Sequence, residues 1–175
     1  MAGQNRYLRD GTNTILAPVH GNVEINSGDL VFINSLNGLV GGEVIGNAIA
    51  ADQYVYPFNK AVNAGSPAAG VQFGIYTYFA GVAMESSPAG VTENITVAVD
   101  GVFRYPLYAL SAVTVGALIT SVSPYVSTLG VSPQAVSIIG YGLATTAYLG
   151  YVVKTESGAS FVDFEIRTMY NKLAT

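Results

Sequence analysis

Hydrophobic and polar positions along this chain alternate with a period of two, and nowhere do they follow a long helical period of 3.6. The alternation is clearest over residues 161–167, where Val162, Phe164 and Ile166 fall on one side and Asp163, Glu165 and Arg167 on the other. This predicts a half-buried, antiparallel strand with the three charged residues facing solvent. Residues 94–100 repeat the pattern, with Ile95, Val97 and Val99 against Thr96 and Ala98. Residues 72–79 alternate aromatic and small side chains. A short β-prone run, Leu30-Val31-Phe32-Ile33, is entered from an Asn26-Ser27-Gly28 turn. Residues 111–122 are long enough for a helix, but their β-branched content and Gly116 favour strand. Residues 51–70 carry Tyr54, Tyr56, Pro57, Phe58 and a Gly65-Ser66-Pro67 turn, and are expected to form a long loop.

Twenty glycines and seven prolines interrupt these runs at short intervals, the punctuation of many short strands. The expected fold is all-β, an antiparallel β-barrel or β-sandwich with long loops and an extended N-terminal arm. The arm covers residues 1–11, one β domain covers 12–167, and a tail covers 168–175. The domain can also be read as two packed strand-rich lobes divided near 51–70. An internal echo supports a repeated unit. Gly28 to Ile33, followed by a small-residue strand at 44–50, resembles 116–120 followed by 138–144. The run Phe79-Ala80-Gly81-Val82-Ala83-Met84 resembles the second element once more. Small residues inside a strand permit a close backbone approach or a sharp bend.

Composition narrows the chemistry. The 175 residues include no Cys, no Trp and one His, and only 10% are charged. Disulfides, thiol chemistry and Cys/His zinc sites are therefore excluded. Half the residues are hydrophobic and the mean hydropathy is +0.41, more than one subunit readily hides, which points to assembly with other protein. No apolar run reaches the roughly 18 residues of a membrane helix, and the polar N-terminus lacks the apolar segment of a secretory signal. Net charge is −4 and the basic residues Arg6, Arg9, Lys60, Arg104, Lys154, Arg167 and Lys172 are scattered. Phosphate binding needs several cations on one face, so neither nucleic acid nor membrane is an expected partner.

Candidate catalytic groups are few. His20 stands in a Pro18-Val19-His20-Gly21 loop with Asp10, Glu24 and Asp29 in no catalytic spacing, and is expected to be structural. Gly65 to Gly70 has phosphate-loop spacing, but Val71-Gln72 stand where Lys and Ser/Thr are required. Gly140-Tyr141-Gly142 opens a dinucleotide fingerprint, yet Thr145 replaces its third glycine. No catalytic residue, cofactor site or metal site is expected. The twelve tyrosines suit half-buried sheet, protein interfaces or sugar-stacking platforms.

The order of short motifs in the second half resembles the small head-decoration (cement) proteins of tailed bacteriophages. The motifs are Gly81-Val82-Ala83, the run Ile95 to Val99 leading through Asp100-Gly101 to Val102-Phe103, Val115-Gly116-Ala117-Leu118-Ile119, Ile139-Gly140-Tyr141-Gly142-Leu143-Ala144, and the closing strand at 161–167. The resemblance implies a β-module, made in the host cytoplasm, that binds the major capsid protein on the outer surface of an expanded icosahedral head. It further implies a homotrimer at three-fold or quasi-three-fold positions, acting without cofactor or catalysis. On that basis the polar arm, with Asn5, Arg6, Tyr7 and Arg9, is the expected capsid-contacting segment, ordering as it binds. The alternatives are a carbohydrate- or ligand-binding β module, or another phage head or tail component.

Overall fold

The computed structural model describes residues 13–34, 53–58, 78–107, 113–121, 135–138, 148–155 and 160–170. These residues form ten strands and no helix, so the all-β expectation holds. The strands are β1 (Thr14–Pro18), β2 (Leu30–Ile33), β3 (Val55–Pro57), β4 (Phe79–Ala83), β5 (Asn94–Ala98), β6 (Val102–Pro106), β7 (Leu118–Ser121), β8 (Val136–Ile138), β9 (Gly150–Lys154) and β10 (Phe161–Ile166). They make two five-stranded antiparallel sheets, ordered β1-β5-β4-β2-β3 and β6-β10-β9-β7-β8. The chain completes the first sheet before starting the second, crossing over at Asp100-Gly101, where Gly101 holds a φ of 121°.

Each sheet is also drawn toward closure. Val19, just past β1, makes a parallel bridge to Val55 of β3, and Leu107, just past β6, makes one to Val136 of β8. The two ends of each five-strand order are thereby joined, and the unpaired groups of two edge strands are reduced.

Three neighbouring strands of the first sheet, β4, β2 and β3, are buried along their whole length. All four residues of β2, all three of β3 and all five of β4 are inaccessible. Their sequences, Leu-Val-Phe-Ile and Phe-Ala-Gly-Val-Ala, are unbroken apolar runs, the signature of a strand covered on both faces. Phe32 packs against Tyr56 and Phe58 with centroids 6.1 Å away in each case, and Phe58 meets Phe79 at 5.6 Å. Each such ring contributes roughly 2–3 kcal/mol by burial. The second sheet keeps its alternation, with Phe103, Tyr105, Val152, Val162, Phe164 and Ile166 buried. These side chains and those of the first sheet form one continuous core. The Tyr105 hydroxyl donates to the Gly28 carbonyl at 2.6 Å, and Thr168 Oγ1 donates to the Val99 carbonyl at 2.8 Å, tying the two sheets together.

Three local expectations are corrected. Asp163 lies on the outward side of its strand but is only 4% exposed, because Arg104 on β6 closes over its carboxylate from the adjacent position. The expected loop at 51–70 contains β3, whose Val55, Tyr56 and Pro57 are too apolar to remain outside the core. Of the expected strand at 111–122, the described residues 113–121 form strand over Leu118–Ser121, after a turn at Val115-Gly116. The small-residue segment at 44–50 and most of 72–79 and 138–144 lie outside the described residues.

Candidate interaction surface

The exposed large apolar side chains among the described residues are Leu16, Met84, Val115, Phe161 and Tyr170. Two of them share a row. In the β1–β5 register Leu16 stands opposite Thr96, and on the other side of β5 the Met84 amide donates to the Thr96 carbonyl at 2.9 Å. Cross-strand partners point to the same face. Leu16, Thr96 and Met84 therefore run side by side across the sheet, with Leu16 70% and Met84 36% exposed. Glu85 fixes the middle of the row, its Oε1 accepting from Thr96 Oγ1 at 2.8 Å. Asn13 secures the start of β1 by donating its amide to Asp100 Oδ1 at 2.7 Å, with a second bond between its side chain and Asp100 Oδ2.

The matching row of the second sheet is ionic. Arg104 lies opposite Asp163 and grips it through both donors, Nε to Oδ1 at 2.7 Å and Nη2 to Oδ2 at 2.9 Å. Paired hydrogen bonds between fixed planar groups are the strong form of ion pair. Lys154 stands opposite Asp163 on the other side. Farther along, the Arg167 guanidinium lies 5.1 Å over the Tyr151 ring, donates to the Tyr151 hydroxyl at 3.1 Å and approaches Glu165 at 3.7 Å. Phe161, 46% exposed, opens this face at the start of β10.

The arm residues Asn5, Arg6, Tyr7 and Arg9 lie outside the described residues, as do the glycine patterns at 65–70 and 140–142. His20 sits on the seam that closes the first sheet. Its ring is edge-on to Tyr54 at 5.5 Å and stacked on Tyr56 at 5.6 Å, while Nδ1 accepts from the Asn22 amide at 3.3 Å. Asp29 is buried and accepts the Asn26 amide at 2.8 Å, bracing the turn into β2, and Glu24 is exposed. Among the described residues no group of three His, Asp or Glu side chains is gathered to hold a metal ion. No helix among them is long and apolar enough to cross a membrane. Of the described tyrosines, Tyr56 and Tyr105 are fully buried and Tyr170 is the exposed one. Burial, and secondarily the charge of Asp29, pushes the Tyr105 hydroxyl well above the ordinary phenol range, and burial also raises Tyr170.

Sequence reasoning missed Leu16, Met84 and the Arg104–Asp163 pair. The alternation in Thr-Ile-Leu-Ala-Pro and Val-Phe-Arg-Tyr-Pro carried the signal, since each places its middle residue opposite the buried set. Compared with protein-family models, curated proteins and solved structures, the chain matches none at a significant level.

Proposed function

We propose that this protein is a non-enzymatic structural component of a phage particle, a decoration subunit that binds the major capsid protein on the outside of the head and stabilises the shell. The observation that carries this reading is the exposed apolar pair Leu16 and Met84, flanking Thr96 on the paired strands of an all-β scaffold. Apolar side chains held on paired strands present a preformed surface, which binds protein without an ordering cost in its backbone. The motifs of the family resemblance fall largely on regular elements: Gly81-Val82-Ala83 in β4, Ile95 to Phe103 in β5 and β6, Val115 to Ile119 in the turn and β7, and 161–167 in β10. Repetition over many symmetric sites would let modest single contacts sum to firm attachment.

The test is the copy number of this protein in purified particles relative to the major capsid protein. A fixed ratio matching a class of symmetry sites is expected. A few copies per particle would move the protein to a vertex or tail, and absence from the particle would end the structural reading.

A further inference from the structure

The two sheets share more than a strand order. With β1 to β5 matched to β6 to β10 in sequence, both orders read first-fifth-fourth-second-third. Outside the bulges the residue registers then agree. Thr14↔Ala98 and Pro18↔Asn94 in the first sheet correspond to Val102↔Glu165 and Pro106↔Phe161 in the second. Leu30↔Val82 and Val31↔Gly81 correspond to Leu118↔Tyr151 and Ile119↔Gly150. Val31↔Pro57 and Ile33↔Val55 correspond to Ile119↔Ile138 and Ser121↔Val136. Val82↔Ala98 corresponds to Tyr151↔Glu165. The closing bridges obey the same assignment, Val19↔Val55 against Leu107↔Val136.

Irregular features coincide as well. Gly28 and Gly116 hold φ of 90° and 86° in the turn before the second strand of each set. The Gly28 amide donates to Ala83 at 2.7 Å and the Gly116 amide to Val152 at 2.8 Å, and Ala83 and Val152 donate back to Asp29 and Ala117, both at 2.9 Å. A Cβ on Gly81 would lie 1.9 Å from the Ala98 carbonyl oxygen, and one on Gly150 would lie 2.0 Å from that of Glu165. Ala98 and Glu165 are themselves matched residues. The copies differ in their bulges, which fall between Val31 and Phe32 in one sheet and between Asp163 and Phe164 in the other, and in Gly81, whose φ of 147° is not repeated at Gly150.

We infer that the chain is an internal duplication: two copies of one five-stranded unit, the first ending and the second beginning at Asp100-Gly101, joined in tandem and packed on a common core. Shared strand order alone could arise from packing rules. Agreement of the registers outside the bulges, of two special glycines per unit, of a strand-ending proline (Pro18, Pro106) and of a closing parallel bridge calls for a common unit. The residues kept identical are those the backbone dictates, Pro18/Pro106, Gly28/Gly116 and Gly81/Gly150, together with the core pair Val55/Val136 and Leu30/Leu118, of which Leu30 is buried and Leu118 half-buried. Outward positions have diverged. Leu16, Thr96 and Glu85 in the first copy occupy the places of Arg104, Asp163 and Lys154 in the second. One scaffold thus presents two surface chemistries at the same location, an exposed leucine beside a threonine–carboxylate hydrogen bond in one copy and a bidentate ion pair beside a lysine in the other.

Equivalence of the copies is tested by transplanting the ionic row in the full chain. In a Glu85→Lys background, Leu16→Arg and Thr96→Asp are made singly and together. The double variant is expected to melt about 1–3 °C above the sum of the single shifts, as a surface ion pair in good register does. Purely additive shifts would overturn the equivalence. If the background fails to fold, an experimental structure of the unaltered chain decides. One rotation should superpose 14–18, 30–33, 55–57, 79–83 and 94–98 on 102–106, 118–121, 136–138, 148–152 and 161–165, and a need for different rotations would overturn it.

Discussion

At the scale of single residues, the decisive side chains are polar groups taken out of water with a partner supplied. Tyr105 is wholly buried and spends its hydroxyl on the Gly28 carbonyl, a bond that spans the two copies of the unit. Its raised folded-state value means that its contribution is complete below the unfolded phenol value of about 10 and is lost as pH rises beyond it. Melting temperature should therefore fall above about pH 10, and Tyr105→Phe should flatten that fall while costing about 1–2 kcal/mol at neutral pH. A pH series of thermal melts on both proteins checks this. Asp163 follows the same logic and explains a failure of pattern reading. Alternation assigned it outward correctly, but outward is not exposed when Arg104 closes over the carboxylate.

At the scale of elements, the strands that could be read were those with full alternation or an announced turn: β2, β5 and β10. The short strands β1 and β3 were hidden for a physical reason. Three to five residues ending in proline carry too few periods to distinguish strand from loop, and their pairing is set by distant partners. The duplication was visible only as an echo around Gly28 and Gly116. Register equivalence resides in which residues face each other, and side-chain identity records little of it. The true counterpart of Gly81 is Gly150, because both must let a neighbouring backbone carbonyl pass within a Cβ's reach. Gly81→Ala and Gly150→Ala are each expected to cost about 3 kcal/mol or more, since backbone cannot yield as a side chain does. Denaturant unfolding of the two variants should show comparable losses, despite their different sequence surroundings.

At the scale of the whole molecule, the sequence conveyed the fold class and the family resemblance, whereas the surface came from the registers. Leu16 and Met84 are 68 residues apart and meet only through Thr96. If this row faces the shell, Leu16→Asp should leave the melting temperature within about 2 °C of the parent. Occupancy on purified particles should fall about tenfold or more, the size of one lost anchor contact. Quantitative gel analysis of particles carrying the variant reads both the effect and its absence. The seams at Val19–Val55 and Leu107–Val136 have one more consequence. On the proposed reading, many copies accumulate as a dispersed pool before any shell exists to receive them. Exposed strand borders would convert that pool into cross-β aggregates. Joining each sheet's ends and ending its first strand with proline leaves fewer unpaired backbone groups for another copy to pair with, so that encounters between copies are governed by side chains.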